Sequence, residues 1–139
     1  MCVPQASAST ESATDFIVRA VNESVGEVTI LALAACTNIA LALKKDPQLH
    51  EKWKELVVLG GAFHINGNVT PAAEANIIGD AEAADYVFAR GTNTYVIGLD
   101  VTMDCFLTRE QLEQMRGEQL LERTQRREST VGPLIIVAL

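Results

Sequence analysis

The sequence predicts an α/β fold, a Rossmann-like and mostly parallel sheet with flanking helices. Two observations carry that expectation. Three short runs, residues 28–33, 56–59 and 94–99, are apolar and uncharged, as buried strands of a parallel sheet are. Segments with helical spacing separate them, and strand–helix–strand–helix–strand is the order of right-handed crossover units, whose sheets are covered on both faces.

Each element has its own signal. Residues 1–11 are small and polar and read as a tail. Ser12 or Thr14 can cap a first helix that sets Phe16, Ile17, Ala20 and Val21 on one face. Gly26 separates it from the first strand. Thr37-Asn38 offers a cap for the next helix, which carries Lys44 and Lys45 in its last turn, where cations suit the helix dipole, and stops at Pro47. The second strand ends in Gly60-Gly61. Asp80 can cap a helix through Ala84, Val87 and Phe88 that closes at Gly91, and the third strand follows. The stretch 12–107 is thus one α/β unit. In residues 108–139, Thr108 and Gln111 form a capping box for a charged helix reaching Arg127. The apolar run from Val131 to Leu139 then stops, and reads as a truncated or divergent end.

Composition narrows the function classes. The chain has 139 residues, 48% of them hydrophobic, which is too apolar for intrinsic disorder. Eleven Lys and Arg stand against 18 Asp and Glu, giving a net charge of −7, the wrong sign for a phosphate-backbone binder. Aromatic residues make up 5%, which disfavours a base-stacking platform. No nucleic-acid partner is expected. No apolar stretch reaches the ~20 residues of a membrane-spanning helix. No membrane association is expected either. Cys2, Cys36 and Cys105 are odd in number and far apart, which fits neither a disulfide framework nor a zinc site. With no signal-peptide pattern at the start, the expected location is cytoplasmic.

Ligands of open parallel sheets bind beyond the carboxyl ends of the strands, which selects residues 34–38, 60–76 and 100–104. The middle segment is the richest in polar groups. Asn68, Glu74 and Asn76 offer amide donors, amide acceptors and a carboxylate, a set able to hydrogen-bond several sugar hydroxyls together. On composition alone, solvated turn residues are the commoner explanation of such a loop. His64 has no local partner, and Asp80 is most simply a helix cap. Asp100 and Asp104 are open to two readings, cation ligands or turn-forming carboxylates, the second being the commoner. The chain contains no Gly-x-Gly-x-x-Gly fingerprint, no phosphate-binding loop ending in Gly-Lys-Ser/Thr, and no Gly-x-Ser-x-Gly elbow.

Three stretches settle the choice for the loop. They are Val57-Val58-Leu59-Gly60-Gly61-Ala62-Phe63, then Gly67-Asn68-Val69-Thr70-Pro71-Ala72-Ala73-Glu74-Ala75-Asn76-Ile77, then Asp80-Ala81-Glu82-Ala83-Ala84. Together with Thr37-Asn38-Ile39-Ala40 upstream and Gly98-Leu99-Asp100-Val101-Thr102 downstream, they resemble the inosine–uridine-preferring nucleoside hydrolase family, plant members in particular. The resemblance covers about residues 12–116 and implies a partial nucleoside hydrolase fold. It implies an N-ribohydrolase that cleaves purine or pyrimidine ribonucleosides to ribose and free base, with Ca²⁺ as cofactor, a ribonucleoside as substrate, and frequent homo-oligomerisation. By position, Asn68, Glu74 and Asn76 would bind the ribose hydroxyls, with Glu74 and Asn68 paired at the 5′ end. The main-chain carbonyl of Leu33 would be a calcium ligand.

Departures from the family pattern are also implied. The Asp-x-Asp-Pro-Gly-x-Asp-Asp cluster that supplies the water-activating base and metal carboxylates is not in these residues, nor is the late His-Asp pair. No catalytic base or acid is therefore assigned. Ala34-Ala35-Cys36 replaces a glycine-containing turn, and Ala81 replaces a proline. The chain reads as an internal piece of a nucleoside hydrolase. The alternative is a catalytically inactive short form that acts as a binding or interaction module; a generic Rossmann-like ligand-binding domain ranks third. An uncovered edge beside the first strand is a further expectation, and such an edge invites aggregation.

Overall fold

The computed structural model describes residues 9–90, 92–116 and 134–137. Helix α1 spans Ala13–Glu23, and Ser12 is its cap, the Oγ accepting the Asp15 N–H at 3.1 Å. Ile17 and Val21 are fully buried beneath it, whereas Phe16 is 41% exposed. The sequence placed Phe16 on the buried face. In the structure it is one step of about 100° away from Ile17, and the Arg19 guanidinium lies over its ring at 5.3 Å.

Strand β1 (Thr29–Ala32) leads into α2 (Thr37–Lys45), and the one-turn α3 (Leu49–Lys52) precedes β2 (Glu55–Leu59). The expected Thr37-Asn38 cap is corrected. Cys36 holds the cap position of α2 without a side-chain cap bond, and Thr37 is already helical. Its hydroxyl is engaged elsewhere, donating to Asp80 Oδ2 at 2.6 Å. Asp80 also accepts the Ala83 N–H at 3.0 Å and so caps α5 (Ala81–Phe88), as the sequence predicts. The Thr37 hydroxyl, then the Ala83 amide, hold the Asp80 carboxyl below its usual range. Gly91, expected to close this helix, lies outside the described residues.

Strand β3 (Thr94–Ile97) and the short α6 (Leu99–Thr102) complete the α/β unit. Helix α7 (Arg109–Arg116) opens with the predicted capping box: Gln111 N–H donates to Thr108 Oγ1 at 3.2 Å, and Thr108 N–H to Gln111 Oε1 at 2.8 Å. Its expected continuation to Arg127 lies outside the described residues. Among those residues no helix is long and apolar enough to cross a membrane.

The strands pair in the order β3-β2-β1-β4, every pair parallel, with β4 formed by Leu134–Val137. One expectation changes here. The apolar run near the end contributes a strand, Thr29 pairing with Leu134 and Ala32 with Val137. The edge of β1 expected to be bare is therefore occupied. The physical reason is plain. A strand edge presents unpaired N–H and C=O groups, and an uncharged Leu-Ile-Ile-Val run is suited to pair with it.

Alternation along the strands fixes where the core lies. Ile30, Ala32, Leu56 and Val58 join Ile17, Val21, Ile39, Leu43 and Val87 in one buried cluster under α1, α2 and α5. The opposite face carries Leu31, Val57 and Leu59, half-buried, and Tyr95 and Ile97, exposed. Covering of both faces, expected of a parallel sheet, is realised on one face among the described residues. Leu56 is wholly buried in that cluster. Leu56→Ala should lower unfolding stability by about 2–5 kcal/mol, read from a denaturant midpoint with unchanged slope; a loss below about 0.5 kcal/mol would show that the cluster is not the core.

Candidate functional site at the strand tips

The polar loop that follows β2 owes its shape to Gly67 and a tight turn. Val69 N–H donates to the Ala73 carbonyl at 3.1 Å, and Gly67 N–H to the Pro71 carbonyl at 3.2 Å. A Cβ at Gly67 would overlap the Ala73 backbone, so only glycine lets the two arms of the turn close. Closure places Asn68 against the start of α4 (Ala75–Gly79), where Asn68 Oδ1 accepts the Ala75 N–H at 2.9 Å.

Glu74 is the cap of α4 and is 6% exposed. Its Oε1 accepts the Asn76 N–H at 2.9 Å, and its Oε2 accepts the Ile77 N–H at 3.1 Å and the Gly61 N–H at 2.9 Å. A buried carboxylate is costly unless it is hydrogen-bonded, and three backbone donors meet that need. Those donors come from the helix start and from the end of the strand. Gly61 reaches its place with φ +85°, a left-handed conformation that favours glycine. Asn76 spans the tips of two strands, its Nδ2 donating to the Leu59 carbonyl at 2.8 Å and to the Leu33 carbonyl at 3.3 Å.

The four residues that the family resemblance singles out, Leu33, Asn68, Glu74 and Asn76, line one cavity of about 370 Å³ at the carboxyl ends of the strands, together with Ile97 and Thr102. A larger cavity of about 490 Å³ shares Glu74 but is walled mainly by Phe63, Ile77, Ile78, Phe88 and Val96. The smaller of these two gathers Asn68 and Asn76 beside Glu74, which makes it the better fit to a ligand rich in hydroxyls. Among the described residues, Asn68 Nδ2 and Asn76 Oδ1 have no protein partner, which leaves one amide donor and one amide acceptor at that cavity.

Asp100 resolves its two readings in favour of a structural role. Oδ2 accepts the Phe63 N–H at 2.8 Å and Oδ1 the His64 N–H at 2.7 Å, and Leu99 N–H donates to the Gly61 carbonyl at 2.9 Å. Sequence reading missed this clasp. The available signal was an acidic residue just past one strand tip, facing a loop that leaves the neighbouring tip. His64 itself is exposed and takes part through its backbone. Among the described residues no group of three or more His, Cys, Asp or Glu could hold a metal ion.

Two outcomes follow from this geometry. Glu74→Gln puts an amide N–H where a carboxylate oxygen accepted backbone donors, and should cost about 1–3 kcal/mol of stability by denaturant unfolding. An unchanged midpoint would remove Glu74 from the framework. The Phe63 amide first, then that of His64, hold the Asp100 carboxyl below its ordinary value of 3.8. A lowered carboxyl contributes stability above its ordinary value and loses it as pH falls through the lowered one. Exchange protection of the Phe63 and His64 amides should therefore still be present at the ordinary value of 3.8 and be lost only below it; loss above that value would show the clasp is not formed.

A family model described as inosine-uridine preferring nucleoside hydrolase matches residues 2–135. A probable uridine nucleosidase 1 of Oryza sativa subsp. japonica is 50% identical over 109 residues, 78% of this chain and 34% of that protein. Uridine nucleosidase 1 of Arabidopsis thaliana is 48% identical over 112 residues, 81% of this chain and 33% of its own length. Among solved structures, a plant nucleoside hydrolase superposes with a TM-score of 0.74 at 43% identity, covering 83% of this chain and 37% of that one. A purine-preferring ribonucleoside hydrolase from Gardnerella vaginalis gives a TM-score of 0.77 at 40% identity over 81% and 35%. The chain thus spans about a third of the length of the curated relatives it matches. On the match over residues 2–135 and these identities, the chain belongs to the inosine–uridine preferring nucleoside hydrolase family.

Proposed function

We propose that the protein acts in hydrolysis of the N-glycosidic bond of ribonucleosides, and that the strand-tip cavity is its ribose site. The observation that carries this reading is the meeting of Asn68, Glu74 and Asn76 around one hollow with part of their hydrogen-bonding capacity unspent. In that reaction the bond from C1′ to the base nitrogen breaks with its electron pair going to the base. The base takes up a proton, and hydroxide from water joins C1′. Names of relatives, uridine nucleosidase above all, favour a pyrimidine ribonucleoside as substrate.

The part played by these residues is to bind and orient the sugar. Asn68 Nδ2 donates to a ribose hydroxyl oxygen, Asn76 Oδ1 accepts from a ribose hydroxyl, and the remaining lone pair of the Glu74 carboxylate accepts from another. Positive charge grows on the sugar as the base departs, and acceptor oxygens fixed beside it favour that change without reorganising. Each hydroxyl contact replaces one with water, so the gain lies in geometry more than in raw energy.

Calcium enters only through the family. The described donor set does not make a calcium site by itself: Ca²⁺ takes six to eight oxygens. At this cavity the Leu33 carbonyl already accepts from Asn76, while the Glu74 carboxylate is engaged by three N–H groups.

Uridine titrated into the chain should shift the side-chain amide resonances of Asn68 and Asn76, and Asn76→Ala should weaken binding about tenfold or more. Unmoved resonances would remove the ribose site. Incubated alone with uridine or inosine, these residues should release no ribose above background, since the water-activating carboxylates of the family pattern are not among them. Calcium-dependent ribose release would overturn that account of the reacting groups.

A further inference from the structure

We propose that Asp100 is a positioning residue for the sugar-facing wall, fixing through the backbone of Phe63 and His64 the loop that delivers Asn68. The inference rests on the ribose-site reading for its ligand, though not for its geometry.

Three contacts tie the turn after β3 to the loop after β2. Both Asp100 carboxylate oxygens are used, one on each of two consecutive amides. The Leu99 N–H grips the Gly61 carbonyl just upstream. The Phe63 ring packs so closely on Gly98 that a Cβ there would come within 2.9 Å of two ring carbons, so the glycine makes room for the approach. Leu99 and Thr102, on either side of Asp100, are walls of the ribose cavity. The clasp therefore joins the segment that carries Leu99 and Thr102 to the loop that carries Asn68, both of which line that hollow.

Its consequence reaches Asn68 along the chain. After His64 the loop runs through residues 65–67 with no backbone hydrogen bond to the sheet among the described residues, until the Gly67 turn begins. Upstream it is anchored at Gly61 and by Asp100, and downstream at the Asn68–Ala75 bond. Releasing the Asp100 anchor leaves a longer free segment, whose ends cost more entropy to hold together. The bond that should report this is Ala75 N–H to Asn68 Oδ1, because it forms only when Asn68 is in place. Asp104, four residues on, has a carboxylate without a hydrogen-bond partner among the described residues and serves as the control.

The test is amide hydrogen exchange on the full chain, native against Asp100→Asn, Asp100→Ala and Asp104→Asn. Asp100→Asn retains one acceptor oxygen and turns an N–H toward the other amide. It should speed exchange about tenfold or more at Phe63, His64 and Ala75, leaving Ile30 and Val58 unchanged. Asp104→Asn should move none of them. Faster exchange at Phe63 and His64 with Ala75 unmoved would overturn the proposal, as would equal acceleration at Ile30 and Val58. If Asp100→Ala does not fold, Asp100→Asn carries the same readout. A second arm measures uridine affinity. Asp100→Asn and Asn68→Ala should each weaken it, and the double substitution should lose no more than Asn68→Ala alone. Additive losses would overturn the proposal. A native chain that does not bind uridine would sink the ribose-site reading, while the exchange at Ala75 would still decide the role of Asp100.

Discussion

The buried Glu74 carboxylate is the group on which the strand-tip architecture depends. Its three backbone donors belong to residues 61, 76 and 77, so one side chain binds the end of β2 to the start of α4 across the whole intervening loop. A carboxyl group can stay out of water there because each donor is itself a backbone N–H that would otherwise be unsatisfied at a helix start or a strand end. The need runs both ways. Remove the acid and three amides lose a partner; remove the glycine geometry at residue 61 and the acid loses one of its donors.

This arrangement explains how a short polar loop can be rigid. Asn68 and Asn76 each use one end of the amide for the fold and leave the other toward the cavity. An amide is suited to that division, since it has a donor end and an acceptor end held in one plane. Asn68 is fixed by its oxygen and presents nitrogen; Asn76 is fixed by its nitrogen and presents oxygen. The pair thus offers complementary polarity, which suits the proposed ligand, whose hydroxyls can both give and receive. A wall ordered before the ligand arrives loses less entropy on binding than one that must be ordered by it.

Much of the framework was legible in the sequence because it is local. The strand runs, the Ser12 and Asp80 caps and the Thr108–Gln111 box involve partners within a few residues, and spacing reveals them. What was not legible is long-range. Thr37 looks like a helix cap until Asp80, 43 positions later, takes its hydroxyl. Asp100 looks like a turn residue until Phe63 and His64 arrive from another strand tip. The pairing of β4 with β1 joins residues over a hundred positions apart, and an apolar run does not say which edge it will find. Phe16 was misplaced for a smaller reason, as two adjacent apolar residues on a helix cannot both point along the same line. For the candidate site, residue types marked the loop, and the resemblance to a family selected Asn68, Glu74 and Asn76 from its polar residues. The division of each amide between fold and cavity was visible to neither.

The same economy bears on chemistry. A carboxylate whose oxygens already accept from three backbone N–H groups leaves few lone pairs free to meet a water proton, so Glu74 is poorly placed by geometry as a general base although it lines the hollow. Its negative charge is nonetheless fixed beside the place where, in the proposed reaction, positive charge grows on the sugar. Fixed charge of that kind favours the transition state through position, and does not need the group to change protonation. Recognition and water activation thus make opposite demands on a carboxylate: one wants its lone pairs tied down, the other wants one free. A fold that does both must draw them from different segments. In this chain the segment proposed to fix the sugar is also the one that closes the strand tips, which is why its acid is bonded to three backbone N–H groups.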